Sequence, residues 1–204
     1  WPDGMASYFK RPGMNMVLPV DHRLAVTRAN TKIDEHVFFS QGDHISFTHR
    51  ETQSHDFKNQ PLLMHGFSYQ GPGIAVGDVN GDGLDDVFTG GAYQSSGSLF
   101  IQSRNGKFDE RKIPGELYED LGALLFDADG DSDLDLYVAS GGSERYAGHQ
   151  GYQDRLYIND GKGNFGLSSS SLPQMFTSTS AVAAGDFDRD GDLDLFVGGR
   201  VSPG

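Results

Sequence analysis

Short apolar runs bounded by glycine recur in pairs along the second two-thirds of the chain. Gly73-Ile-Ala-Val-Gly77 is followed by Val87-Phe-Thr-Gly-Gly91, Gly122-Ala-Leu-Leu-Phe126 by Leu136-Tyr-Val-Ala-Ser140, and Ala181-Val-Ala-Ala-Gly185 by Leu195-Phe-Val-Gly-Gly199. Runs this short, β-rich and punctuated by Gly, predict strands rather than helices. Two further segments, 98–108 and 155–165, each read as strand, tight Gly turn, strand. One unit is therefore strand, loop, strand, connector, hairpin, which makes four strands. Asp78 and Asp127 lie 49 residues apart, and Asp127 and Asp186 lie 59 apart. That is the period of a propeller blade. The pattern predicts an all-β, β-propeller segment of four-stranded antiparallel blades, with two units complete and a third ending soon after its loop.

Inside each strand pair sits an acidic nonapeptide: Asp78-Val-Asn80-Gly-Asp82-Gly83-Leu84-Asp-Asp86, Asp127-Ala-Asp129-Gly-Asp131-Ser132-Asp133-Leu-Asp135 and Asp186-Phe-Asp188-Arg-Asp190-Gly191-Asp192-Leu-Asp194. Positions one, three, five and nine carry a carboxylate or amide oxygen, which is the spacing a hard cation with six to eight oxygen ligands requires. The carbonyls of Leu84, Asp133 and Asp192, at position seven, are expected to complete the shell. Glycine at position six lets the backbone reverse at positive φ. Ser132 stands where the other loops have glycine, so the middle loop is expected to be strained. An EF-hand would need flanking helices and a Glu at position twelve, but that position holds Thr89, Val138 and Val197. Dockerin-type and thrombospondin-type repeats fail on the same positions. Three Ca²⁺ sites are expected, with Asp86, Asp135 and Asp194 each saturated by metal and by amides of its own loop.

Two stretches carry a family resemblance: Gly-Asp-Val-Asn-Gly-Asp-Gly-Leu-Asp-Asp-Val at 77–87 and Gly-Asp-Phe-Asp-Arg-Asp-Gly-Asp-Leu-Asp-Leu at 185–195. With their flanks, over residues 72–204, they resemble the FG-GAP or VCBS-type repeats, the calcium-bearing blades of integrin α-subunit propellers and of many bacterial secreted proteins. Trp1-Pro2-Asp3-Gly4 and the Val/Leu-rich stretch to Val26 look like the tail of an ASPIC/UnbV module. The resemblance implies a rigid recognition or assembly module on a bacterial-type cell surface, with a protein or carbohydrate ligand and other chains of a surface complex as partners. Residues 1–34 then belong to a preceding module or linker, and 35–71 to a partial blade or outer strands, with Val37-Phe-Phe and Ile45-Ser-Phe-Thr as strand candidates. A propeller ring needs four to eight blades, so these units do not close one.

Charge agrees with a cation-binding protein. There are 29 acidic residues against 16 basic, a net charge of −13 and a pI near 4.7, which argues against nucleic acid and anionic membrane as partners. Eleven of the carboxylates stand at ligand positions of the three loops. The absence of cysteine removes disulfides and thiolate chemistry. Open carboxylate sites of extracellular modules bind Ca²⁺ at roughly 10⁻⁴ to 10⁻³ M and would be empty at resting cytosolic levels, so the chain is expected outside the cell or on its surface. No apolar span of membrane length is present in the sequence. The chain opens on Trp, which reads as a processed product or a piece of something longer.

The remaining chemistry is thin. His44, His49 and His55 lie near Glu51 and Asp56, residue types that suit a zinc or acid/base site, but their spacings match no metal signature and read rather as a polar edge strand with surface histidines. His65, after Leu62-Leu63-Met64, reads as a packing residue. The run 168–171 carries no Gly-x-Ser-x-Gly elbow. Catalysis is not expected, although some secreted polysaccharide-degrading enzymes are built on similar propellers. The connector Ser143-Glu-Arg-Tyr-Ala-Gly-His-Gln-Gly-Tyr-Gln153 is eight residues longer than its counterpart. It offers Arg145, Tyr146 and Tyr152 for contact with a ligand, or it covers a neighbouring blade.

Overall fold

A computed structural model describes residues 5–6, 21–27, 45–52, 55–59, 61, 66 and 68–201. The chain divides into two compact units, Trp1–Gln41 and Gly42–Gly204. In the first, strands β1 (Met5–Ala6) and β2 (Val26–Thr27) pair antiparallel. A 3-10 turn at His22–Leu24 is started by Asp21, whose carboxylate accepts the Arg23 N–H at 2.9 Å and its guanidinium at 2.6 Å. The Trp1-Pro2-Asp3-Gly4 motif, the strand expected at 37–39, the 62–64 run, His44 and His65 lie outside the described residues.

The second unit is built from two antiparallel meanders and a strand pair. The first sheet runs β3 (Ile74–Gly77), β4 (Asp86–Thr89), β5 (Gly97–Gln102), β6 (Phe108–Ile113). The second runs β7 (Asp120–Phe126), β8 (Asp135–Ser140), β9 (Arg155–Asn159), β10 (Phe165–Ser168), and β11 (Ser178–Gly185) pairs with β12 (Asp194–Val201). The apolar runs are strands as predicted, and both full sheets are four-stranded and antiparallel. In each case the acidic nonapeptide joins the first strand to the second. Its ninth residue opens the second strand opposite the residue that closes the first, in the pairs Gly77–Asp86, Phe126–Asp135 and Gly185–Asp194.

Successive sheets pack through side chains that alternate along each strand. On β8, Leu136 and Val138 join Phe88, Leu99 and Ile101 in the core shared with the first sheet. Their neighbours Tyr137 and Ala139 pack instead with Val182, Leu195 and Val197 of the third strand pair. Every residue of β8 is consequently buried, each fully buried leucine contributing about 1.5–3 kcal/mol. The first strands crowd one another: a Cβ on Gly73 would lie 2.8 Å from the Gly122 carbonyl carbon, and one on Gly122 2.7 Å from the Ser180 oxygen. Only glycine fits such an approach.

Buried carboxylates tie the sheet corners together. Asp120 accepts the Gly91 N–H at 2.8 Å and pairs with the Arg155 guanidinium. That guanidinium lies 4.0 Å from the Tyr118 ring centroid and donates to the Tyr157 hydroxyl at 3.1 Å. Asp154 plays the matching part at the next corner, accepting the Ser140 N–H at 2.7 Å, the Tyr137 hydroxyl at 2.6 Å and the Thr179 hydroxyl at 2.5 Å.

The segment before the first sheet departs from expectation. Residues 45–48 form no strand; Phe47 instead meets Phe100 edge-on, with ring centroids 5.9 Å apart. The polar edge strand expected around His49 and His55 is absent from the described residues, and one helical turn, α1 (Asp56–Asn59), occupies its end. Asp56 is buried and accepts from the Ser68 N–H at 3.0 Å and from the hydroxyls of Ser68 and Ser143. Side-chain contacts, rather than a backbone ladder, anchor this segment.

Candidate metal centre

Each acidic loop is curled by its own carboxylates. Asp78 accepts the N–H groups of Gly81 at 2.8 Å and Gly83 at 2.8 Å, with Asn80 and Asp82 at 3.2 Å. Asp127 repeats this with Gly130 at 2.7 Å and Ser132 at 3.0 Å. The side chains at positions three and five cap amides two residues on: Asn80 to Asp82 and Asp82 to Leu84, Asp131 to Asp133, and Asp188 to Asp190 to Asp192, all at 2.9–3.2 Å. The position-seven residues Leu84, Asp133 and Asp192 are thereby fixed at the return of the loop.

Position nine has a second task. Asp86 is fully buried and accepts the Val79 N–H of its loop at 3.1 Å and the Gln102 N–H of β5 at 2.7 Å. Asp135, equally buried, accepts from Ala128 and from Asn159 of β9, both at 2.8 Å. Asp194 accepts Phe187 N–H at 2.9 Å and is exposed. The expectation that position nine is satisfied by amides of its own loop is therefore corrected for Asp86 and Asp135: one of the two amides comes from the third strand of the sheet.

In the second and third loops the carboxylates at positions one, three and nine converge. One oxygen each of Asp127, Asp129 and Asp135, and likewise of Asp186, Asp188 and Asp194, lie within 4.8 Å of one another. Asp131 and Asp190, at position five, fall outside these triplets. The first loop has the amide of Asn80 at position three and so lacks the third carboxylate. Crowded anions of this kind fit a hard cation. Asp129 is raised above the usual carboxylate range by partial desolvation and by the charges of Asp131, Asp135 and Asp127. Desolvation and the nearby Asp131 push the Asp133 carboxyl up to about 6, and its Oδ1 is buried without a hydrogen-bond partner. Burial also raises Asp86, with the charges of Asp82 and Asp78 adding to it. In Asp78, burial is outweighed by its four N–H bonds, and the carboxyl is lowered.

Two positions in each loop turn left-handed, not one. Position six does so as predicted, with φ 84° at Gly83, 77° at Ser132 and 104° at Gly191, but position four does so as well, at Gly81 (73°), Gly130 (82°) and Arg189 (64°). The second and third loops each carry one non-glycine residue in this region, so strain does not single out the middle loop. Ser132→Gly and Arg189→Gly are each expected to raise stability by about 0.5–1 kcal/mol in urea unfolding, the net of relieved strain and glycine's entropy. A loss in either variant would show that the hydroxyl or guanidinium does more than tolerate its turn.

Asn159, which the sequence reading passed over as part of a hairpin, links two loops. It is buried, and its Nδ2 donates to the Val79 carbonyl of the first loop at 2.7 Å and to the Leu134 carbonyl of the second at 3.1 Å. Its Oδ1 accepts the Gly163 N–H at 3.0 Å. The long connector also differs from expectation. Tyr152 is not a contact residue: it is fully buried, its hydroxyl accepting the Arg145 N–H at 3.0 Å and donating to the Arg145 carbonyl at 2.9 Å. Arg145 lies over the Tyr93 ring at 4.5 Å, and Tyr146 stays exposed against His149.

Stacked antiparallel meanders, each entered through an aspartate loop between its first two strands, define a blade-like β-repeat protein. Residues 78–138 and 127–197 each match the FG-GAP-like repeat, and the chain belongs to that family. Each match starts at a loop and ends in the strand that follows the next loop, so the two together take in all three nonapeptides. Comparison with curated proteins gives no match.

Proposed function

We propose that this chain is a calcium-stabilised, integrin-like propeller module that presents a rigid surface to a protein or carbohydrate ligand outside the cell or on its surface, without catalysis of its own. The observation that carries the reading is the convergence of the position-one, -three and -nine carboxylates in two loops of one template. Side chains at positions one, three, five and nine would hold Ca²⁺, which supplies charge compensation where the carboxylates repel one another. The protein's own part is to hold those oxygens in place with loop amides and, through Asp86 and Asp135 at position nine of the first two loops, to tie the loop to the third strand. Sites of this open type fill at extracellular calcium, which supports an extracellular setting. No helix among the described residues is long and apolar enough to cross a membrane.

Calcium removal tests the reading. With a Kd of about 10⁻⁴ M, 1 mM Ca²⁺ adds about 1.4 kcal/mol per occupied loop by mass action, so EGTA is expected to lower the Tm by several degrees and readdition to restore it. Elemental analysis of protein dialysed against 1 mM CaCl₂ is expected to find bound calcium. An unchanged melt with no calcium retained would overturn the assignment.

A further inference from the structure

A third carboxylate-bearing cluster lies away from the loops. His49 and Glu51, from the segment ahead of the first sheet, converge with Glu119, the residue just before β7, with one ligand atom of each within 4.8 Å of the others. His49 Nε2 and Glu51 Oε1 are 2.7 Å apart, and both side chains are largely shielded from solvent. Glu119 is 3 % exposed. One of its oxygens accepts the Tyr93 N–H at 3.0 Å, whereas Oε1 is buried with no hydrogen-bond partner. Glu51 and Glu119 repel each other across this contact unless a proton or a cation lies between them, and a buried carboxylate oxygen left without a partner is costly. Something positive belongs there.

We propose that His49, Glu51 and Glu119 form a second kind of cation site, selective for a divalent first-row transition ion of the Zn²⁺ class. The donor chemistry separates it from the loops. Calcium takes oxygen ligands, whereas an imidazole nitrogen with carboxylates suits Zn²⁺ and its neighbours. Ligands at about 2.0–2.2 Å from one zinc ion stand roughly 3–3.5 Å apart, a spacing the cluster reaches with small side-chain adjustments and with the ion replacing the proton between His49 and Glu51. The protein would supply three ligands and leave the remaining positions to water or to a group from a partner.

Co²⁺, a spectroscopic stand-in for Zn²⁺, tests this in the full chain held in excess Ca²⁺ so that the loops are occupied. One equivalent of Co²⁺ is expected to give visible d–d absorption that Zn²⁺ abolishes. Glu119→Gln keeps the shape and removes the charge, and His49→Ala removes the nitrogen. Each is expected to weaken Co²⁺ binding by more than about 100-fold, since even groups behind the ligands are worth 10–100-fold. Circular dichroism in Ca²⁺ establishes that each variant is folded, and either variant alone suffices if the other is not. Absence of the band in the wild type, or an unaltered titration in a folded variant, overturns the proposal. A protein that binds no Co²⁺ but shows a carboxyl proton shared by Glu51 and Glu119 in infrared difference spectra overturns it in favour of a proton in place of the metal.

Discussion

Asp135→Ala is expected to destabilise the protein by about 3–5 kcal/mol in EGTA as well as in calcium. The carboxylate is fully buried and holds the Ala128 N–H in the loop and the Asn159 N–H in β9, both at 2.8 Å. Truncation leaves two amides without partners, each worth about 1–3 kcal/mol when unsatisfied in the interior, and opens a small void. Calcium, if bound, adds its own loss on top. Asp194→Ala is the internal control, since that carboxylate is exposed and accepts from Phe187 at 2.9 Å. Its cost in EGTA is expected to stay below about 1 kcal/mol. Urea unfolding of both variants with and without calcium separates the two roles of position nine. Equal costs in EGTA would mean that the bond to the third strand contributes nothing beyond the loop.

An effect of similar size is expected at the sheet corner. Asp120→Ala strands the Arg155 guanidinium, 3 % exposed, beside the rings of Tyr118 and Tyr157. Breaking a buried pair on one side costs about 3–5 kcal/mol, whereas replacing both partners by apolar groups is often close to neutral. The double variant Asp120→Ala/Arg155→Met is therefore expected to recover more than half of the loss. The remainder belongs to the Gly91 N–H, which Asp120 also holds at 2.8 Å. Chemical denaturation of the two single variants and the pair completes the cycle. Additive costs would show that Asp120 and Arg155 act independently despite their contact.

What was legible in the sequence was what chain neighbours decide. The paired apolar runs are strands, the nonapeptides are loops between them, and the hairpins at 98–108 and 155–165 form as read. Position nine was half legible. Its place at the end of a nine-residue pattern marks it as a candidate ligand, but its bond to the third strand joins residues 16 and 24 apart, which no local spacing displays. The left-handed turn at position four was visible in Gly81 and Gly130 and hidden by Arg189, because only the backbone shows that a long side chain has accepted that conformation. Tyr152 read as a contact residue because its connector is long and polar, and burial was decided by a bond to Arg145 inside that connector. His49, Glu51 and Glu119 gave no motif, since the third member lies 68 residues beyond the second.

The two-sided burial of β8 bears on how this chain can be divided. Leu136 and Val138 belong to one core and Tyr137 and Ala139 to another, so β8 is a party wall with no outdoor face. The sequence repeat suggests a cut near residue 118, between one meander and the next. A fragment ending there would lay bare Phe88, Leu99 and Ile101, and the piece beginning there would expose the other side of the same contact. Stability in such a stack resides in the joints between units, and excised single repeats would be sticky rather than modular. The smallest portable piece is a pair of sheets with its shared core intact.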